Sequence, residues 1–197
     1  CSTVIATHLT EVVKAHIDEL FGDSEIDDVL RITAEHSPKL VEDLIPAKLS
    51  RGELLRVMRN LLREGVSVRD MRTVLETLAD RIHETKNTDI LAEYVRYRLG
   101  SAICSELADD ALQIQGLVLD GVASQAIRES LTAIDSEVHV GLRPNAARGL
   151  LSNLSDQMEQ FVVSGRQPVL VVPAEIRRPV RDFLARHLGM LTVLSHR

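Results

Sequence analysis

Between residues 23 and 107 the apolar side chains recur at three- and four-residue steps, whereas from residue 111 onward short apolar runs alternate with helical stretches. The first spacing lines one side of a 3.6-residue helix, and the second calls for strands joined by helices. The expected fold is therefore α+β: a compact helical subdomain followed by a small α/β subdomain with a short sheet. Aromatic residues make up only 3% of the 197, so both cores have to be built from Leu, Val, Ile, Ala and Met.

Three segments follow from this reading: 1–22, 23–108 and 109–197. Residues 5–21 form an amphipathic helix with Leu9, Val12, Val13, Ile17, Leu20 and Phe21 on one stripe, and Gly22 suits its C-cap. One helix cannot bury such a stripe alone, and Cys1 stands where an initiating Met is expected. The segment therefore needs the rest of the chain or a missing domain to cover its stripe. In the middle segment, Ser24 is placed to cap a first helix and Pro38 to open a second. Ser50 with Glu53 forms a capping box, Gly65 ends that helix, and Ser67 with Asp70 marks the next start. A single helix is expected from Ile90 through Leu107. The last segment predicts strands at 112–119, 168–172 and 190–194 sharing one sheet, with helices at 123–134, to Val163, and at 176–188. A short extended piece is expected at 138–142.

No set of residues converges on catalysis. The seven histidines show no His-Glu-x-x-His spacing, and the cysteines, Cys1 and Cys104, form no Cys-x-x-Cys motif. Cys104 reads as a small buried hydrophobe in a reducing compartment. No glycine-rich phosphate loop is present, and Asp120-Gly121 reads as a turn. Hence no catalytic residue, cofactor or metal is expected. No leader and no membrane-spanning run is visible in the sequence.

Arginines crowd the middle segment. Arg51, Arg56, Arg59, Arg63, Arg69 and Arg72 fall on two consecutive helices, interleaved with Glu53, Glu64, Asp70 and Glu76. A basic helix pair can enter a DNA groove. The net charge of -6 opposes nucleic acid, and the interleaved acids fit either a solvated face or contacts with a neighbouring protein, where arginine forks match carboxylates. A DNA-binding regulator and an enzyme with a cross-domain site remain the alternatives from other classes.

The stretches Ser37-Pro-Lys-Leu-Val-Glu-Asp-Leu-Ile-Pro46, Asn60-Leu-Leu-Arg-Glu-Gly-Val-Ser-Val-Arg-Asp70 and Met71-Arg-Thr-Val-Leu-Glu-Thr-Leu-Ala79 resemble the FlhA family of flagellar export-gate proteins. Type III injectisome export gates share this family, and the flanking Pro38-Lys-Leu-Val-Glu and Asn60-Leu-Leu-Arg-Glu-Gly look more flagellar. The resemblance implies the cytosolic part of an integral membrane protein, on the cytoplasmic face of the bacterial inner membrane. It implies a non-enzymatic docking role, with partners of three kinds: other copies in a nonameric ring, export chaperones carrying flagellar substrates, and components of the export ATPase complex. By the same resemblance Thr7 matches a chaperone-docking position, although read alone it is an ordinary helix-start residue. The ring-interface residues it implies are Arg63, Arg69, Asp70 and Arg72.

Overall fold

The computed structural model describes residues 6, 8, 9, 12, 13, 16–134 and 137–196. The chain forms two compact units, Cys1–Glu106 and Leu107–Arg197. Together they give the expected α+β class.

The first unit is helical: α1 (Ile17–Leu20), α2 (Asp23–His36), α3 (Pro38–Leu44), α4 (Arg51–Arg63), α5 (Met71–Arg81), α6 (Thr88–Arg98) and α7 (Gly100–Leu107). Ahead of α1, Ala6, His8, Leu9, Val12 and Val13 are helical, and Leu9, Val12 and Val13 are exposed. The starts are set by side chains. Glu53 accepts from the Ser50 N–H at 2.8 Å while Ser50 Oγ accepts from the Glu53 N–H, satisfying two donors that a bare helix end leaves unpaired. Asp70 caps α5 by accepting from the Thr73 N–H at 3.1 Å, and Asn87 caps α6 through Asp89 and Ile90. Gly65 turns the chain between α4 and α5 at φ 69°, a conformation that costs a side-chain-bearing residue about 1 kcal/mol or more.

The core of this unit is aliphatic. Helix α4 buries Leu54, Val57, Met58 and Leu61, α5 buries Val74, Leu75 and Leu78, and α6 buries Leu91, Ala92 and Val95. Both α4 and α5 pack on α6, and α1 packs on α4. Leu44 and Ile45 close the core from α3.

Four local expectations are corrected. Gly22 is extended (φ -122°, ψ -162°) and begins α2 rather than capping the preceding helix. The Glu25 carboxylate, three residues on, accepts its N–H at 2.8 Å, so Ser24 lies inside the helix. The long helix over 90–107 breaks at Leu99, where Gly100 follows and weakens propagation. Cys104 is exposed rather than buried, because α7 buries none of its residues.

The second unit contains β1 (Leu117–Val118), α8 (Gly121–Ser130), β2 (Leu131–Ile134), β3 (Glu137–Val140), α9 (Pro144–Val163), β4 (Val169–Pro173), α10 (Ala174–Ala185) and β5 (Thr192–His196). Strands β1, β4 and β5 form one parallel sheet in that order, with Leu117 opposite Leu170 and Leu170 opposite Val193. Ile127, Leu154, Met158, Ile176, Val180 and Leu184 cover it from the helices. The Asp120 carboxylate accepts from the Ala123 N–H at 2.7 Å, so the Asp-Gly pair is a helix start rather than a free turn.

Two strand expectations change here as well. The first strand shrinks to two residues because residues 109–113 close on themselves. The Asp109 N–H donates to the Gln113 carbonyl, its carboxylate accepts from the Ala111 and Gln113 N–H groups, and Leu112 sits at φ 58°. The helix expected over 123–134 stops at Ser130. Residues 131–134 instead pair antiparallel with β3, Leu131 opposite Val140. Gly141 permits this, since a Cβ there would stand 2.9 Å from the Ser130 carbonyl oxygen.

Two arginines lie in the interiors. Arg96 Nη1 meets Glu64 Oε2 at 2.9 Å with side chains 8% and 13% exposed. Arg177, 3% exposed, donates to the Val193 carbonyl at 3.3 Å. Val193 alternates with Thr192, which is bonded to β4 through Pro168, so this carbonyl points to the outer edge of the sheet. The guanidinium thus blunts an edge otherwise open to strand pairing.

Removing one member of a buried pair strands the other. Arg96→Ala is expected to lower unfolding free energy by about 3 kcal/mol, and Arg96→Met with Glu64→Leu should recover most of it, as read by urea denaturation. Acid should also destabilise the chain. Glu53 is held below the usual carboxylate range by the Ser50 hydroxyl and N–H, and Glu175 by its own backbone N–H and by Arg128. Their contribution is complete above the ordinary carboxylate pKa and disappears as pH falls through the lowered folded values. Thermal melts between about pH 5 and pH 3 should show a smaller acid-induced loss in Glu53→Gln.

Candidate docking and ring-contact surface

The charges of the helical unit are unevenly divided. From residue 23 to 44 there are seven carboxylates against Arg31 and Lys39, whereas from 51 to 81 seven arginines face five carboxylates. The segment from α4 to α5 is therefore a cationic part of an acidic chain.

The arginines that share a side of α4 by spacing have different roles. Arg59 Nε donates to the Phe21 carbonyl at 2.9 Å. Arg63 Nε meets Asp18 Oδ2 at 3.0 Å, and that carboxylate is only 14% exposed. Both therefore fasten residues 18–21 onto α4. Arg56 remains exposed.

At the start of α5 the arrangement is more open. Asp70 is occupied as the cap, and Arg72 Nε bonds Glu76 Oε1 one turn on at 2.8 Å. That bond, the Glu76 charge and the charge of Asp70 raise the Arg72 pKa above its ordinary value. Arg69 is exposed and meets no carboxylate within ion-pair distance among the described residues. Of the four ring residues expected from sequence, Arg69, Asp70 and Arg72 share this corner. Arg63 is held in the α1–α4 seam instead. Thr7 lies outside the described residues.

The histidines do not gather. His16 stands 3.5 Å from Glu19, His139 3.6 Å from Glu137, and His187 rests edge-on against Phe183. Among the described residues no three or more His, Cys, Asp or Glu side chains are grouped to hold a metal, and no helix is long and apolar enough to cross a membrane.

Sequence reading missed the contacts that shape this surface. Glu64, expected with the other interleaved acids on a solvated face or against a neighbouring protein, pairs inward with Arg96. The signal was available: Leu91, Ala92, Val95, Arg96 and Leu99 fall on one side of a helix. Asn60 donating to Asp89 at 2.7 Å links α4 to the start of α6 and had no such signal.

The FHIPEP family pattern matches residues 1–197. The chain belongs to that family. It is 35% identical over 195 residues to the flagellar biosynthesis protein FlhA of Escherichia coli strain K12, covering 99% of this chain and 28% of that protein. The corresponding protein of Bacillus subtilis strain 168 is 30% identical, with 99% and 29% covered. The chain thus spans less than a third of the length of these curated relatives. Among solved structures, the nonameric SctV-C of EPEC has the same fold, with TM-score 0.85 at 24% identity, covering 97% of this chain and 57% of that one.

The two kinds of arginine should separate by stability. Arg59→Ala and Arg63→Ala are expected to cost about 1–2 kcal/mol each, while Arg69→Ala should stay within about 0.5 kcal/mol of the parent, measured by chemical denaturation.

Proposed function

We propose that the chain is the docking and ring-forming part of a type III protein export gate, flagellar rather than injectisome, and that it works without making or breaking bonds. Membership of the FHIPEP family over the whole chain carries this reading. Identity of 30–35% to flagellar FlhA proteins favours the flagellar apparatus. In this reading residues 1–22 close an upstream subdomain, 23–108 form the ring contact and 109–197 form the small α/β subdomain. The whole gate lies in the bacterial inner membrane with this part on the cytoplasmic face.

Its partners are further copies of itself in a nonameric ring, chaperones delivering flagellar substrates, and components of the export ATPase complex. The assembly of the EPEC relative as a nonamer supports the first. Arg69, Asp70 and Arg72 are the ring residues this surface favours, with Arg63 supporting them through Asp18. Thr7 is the proposed chaperone-docking residue.

The deciding experiment replaces the gene in the source bacterium. Arg69→Glu with Arg72→Glu should reduce swimming-halo diameter and export of flagellar subunits while leaving the full-length protein at normal abundance in the membrane. Thr7→Asp should lower chaperone co-purification roughly tenfold, as loss of a central contact does. Normal export in the arginine variant would refute the ring contact, and normal chaperone capture in the threonine variant would refute the docking residue.

A further inference from the structure

We propose that β2 is an open sheet edge that takes an added strand, supplied by an extended segment of an export substrate. This rests on the export-gate reading above and gives the α/β unit a substrate contact. The hairpin bonds fix which backbone groups face outward. Gly141 donates its N–H to the Ser130 carbonyl at 3.0 Å, and these two stand opposite each other in the register that sets Leu131 opposite Val140. Antiparallel pairs alternate between bonded and non-bonded, so Thr132 and Ile134 bond their backbone groups to β3. The N–H and carbonyl of Ala133 and the carbonyl of Leu131 therefore point away from β3. The Leu131 N–H is given to Arg128 at the end of α8. Among the described residues the outward groups of Ala133 and Leu131 make no hydrogen bond, and Ala133 is exposed.

The remaining sheet edges are each guarded. Strand β1 is two residues long, the outward Val193 carbonyl of β5 is taken by Arg177, and β3 lies against α10 and carries Glu137 and His139. Such devices stop unwanted strand pairing. Leu131-Thr-Ala-Ile134 has no charge and no proline, and β3 is the only element packed extensively on it among the described residues. An added strand would set one side chain beside the Ala133 methyl group and the next beside exposed Ile134, which favours apolar and β-branched residues there. A second copy of β2 is a poor occupant. Pairing β2 with itself is a twofold contact, whereas a closed ring repeats a heterologous one, and an odd number of copies leaves one β2 unmatched. Main-chain bonding reads conformation more than sequence, so it suits exported chains that differ in sequence but present an extended segment. So few bonds hold weakly, and delivery by a chaperone docked elsewhere on the gate supplies the local concentration that makes them effective.

The test uses the full-length protein in the source bacterium, with a photoreactive phenylalanine analogue replacing Ile134, which is 57% exposed. Illumination should give adducts that peptide mapping assigns to an extended segment of an exported flagellar subunit. Ala133→Pro removes the outward N–H without touching a β2–β3 bond and should lower those adducts at least about tenfold. Ala133→Lys, a charge of the kind that guards natural edges, should do likewise. Ala133→Val keeps the N–H and should stay within about threefold of the parent. Membrane abundance checks that each variant accumulates. Adducts to a second copy or to a chaperone alone, no adduct at all, or adducts unchanged by both the proline and the lysine, would overturn the edge pairing. Co-purification of a substrate–chaperone complex with the parent protein separates the two readings. Where the complex is captured, those results overturn the edge pairing alone; where it is not, the export-gate reading falls with it.

Discussion

The inward pairing of Glu64 with Arg96 fixes the turn on which the candidate surface depends. Two charges with side chains 8% and 13% exposed are expensive to remove from water, so the turn after α4 must hold its carboxylate where the α6 guanidinium can reach it. Gly65 supplies the positive φ that lets the backbone reverse directly afterwards, and Val66 returns its N–H to the Leu61 carbonyl. The chain then leaves α4 in a single direction. Arg69, Asp70 and Arg72 follow within one short stretch, and Asp70 converts that stretch into a helix start by capping Thr73.

The arginines of this region illustrate why composition alone is a poor guide to a surface. Arg96 is a core residue, Arg59 and Arg63 are clasps on the preceding segment, and Arg72 is tied to Glu76 along its own helix. Arg69 is left facing solvent. The same residue type thus serves three mechanical purposes before any partner is involved, and each follows from the carboxylate or carbonyl within its reach. Exposed ion pairs of the Arg72–Glu76 kind contribute little to folding, which leaves them free to rearrange when another charge approaches.

Most of the fold was legible because it depends on short-range rules. The capping box at Ser50 and Glu53, the turn at Gly65, the parallel strand 169–173 and the long helix ending at Gly165 all follow from residues within a few positions of one another. The departures are long-range. Residues 131–134 carry no strong strand signal, and they become a strand because β3 offers a partner and Gly141 allows close approach. Gly22 starts a helix rather than ending one because its N–H is taken by Glu25, a competing cap that outweighs the C-cap role. The cationic corner was recognisable from the arginine spacing. Separating Arg63 from Arg69 required knowing that Asp18 lies 3.0 Å from the former, across a sequence separation no periodicity encodes.

A contact built from exposed charges suits a ring better than it suits a dimer. Each such pair is worth at most about 1 kcal/mol in water, too little to hold two copies together alone. Ring closure changes the arithmetic, since every copy is retained by two neighbours and the last contact forms between ends already held close, at high effective concentration. Weak contacts also let a misoriented copy leave before it is trapped, whereas a large apolar interface would hold it. In the proposed export gate, the membrane-embedded remainder of each chain would supply the tethering that raises local concentration. Exposed charges in such a contact then need only select register and direction, which is the task that charge complementarity performs best.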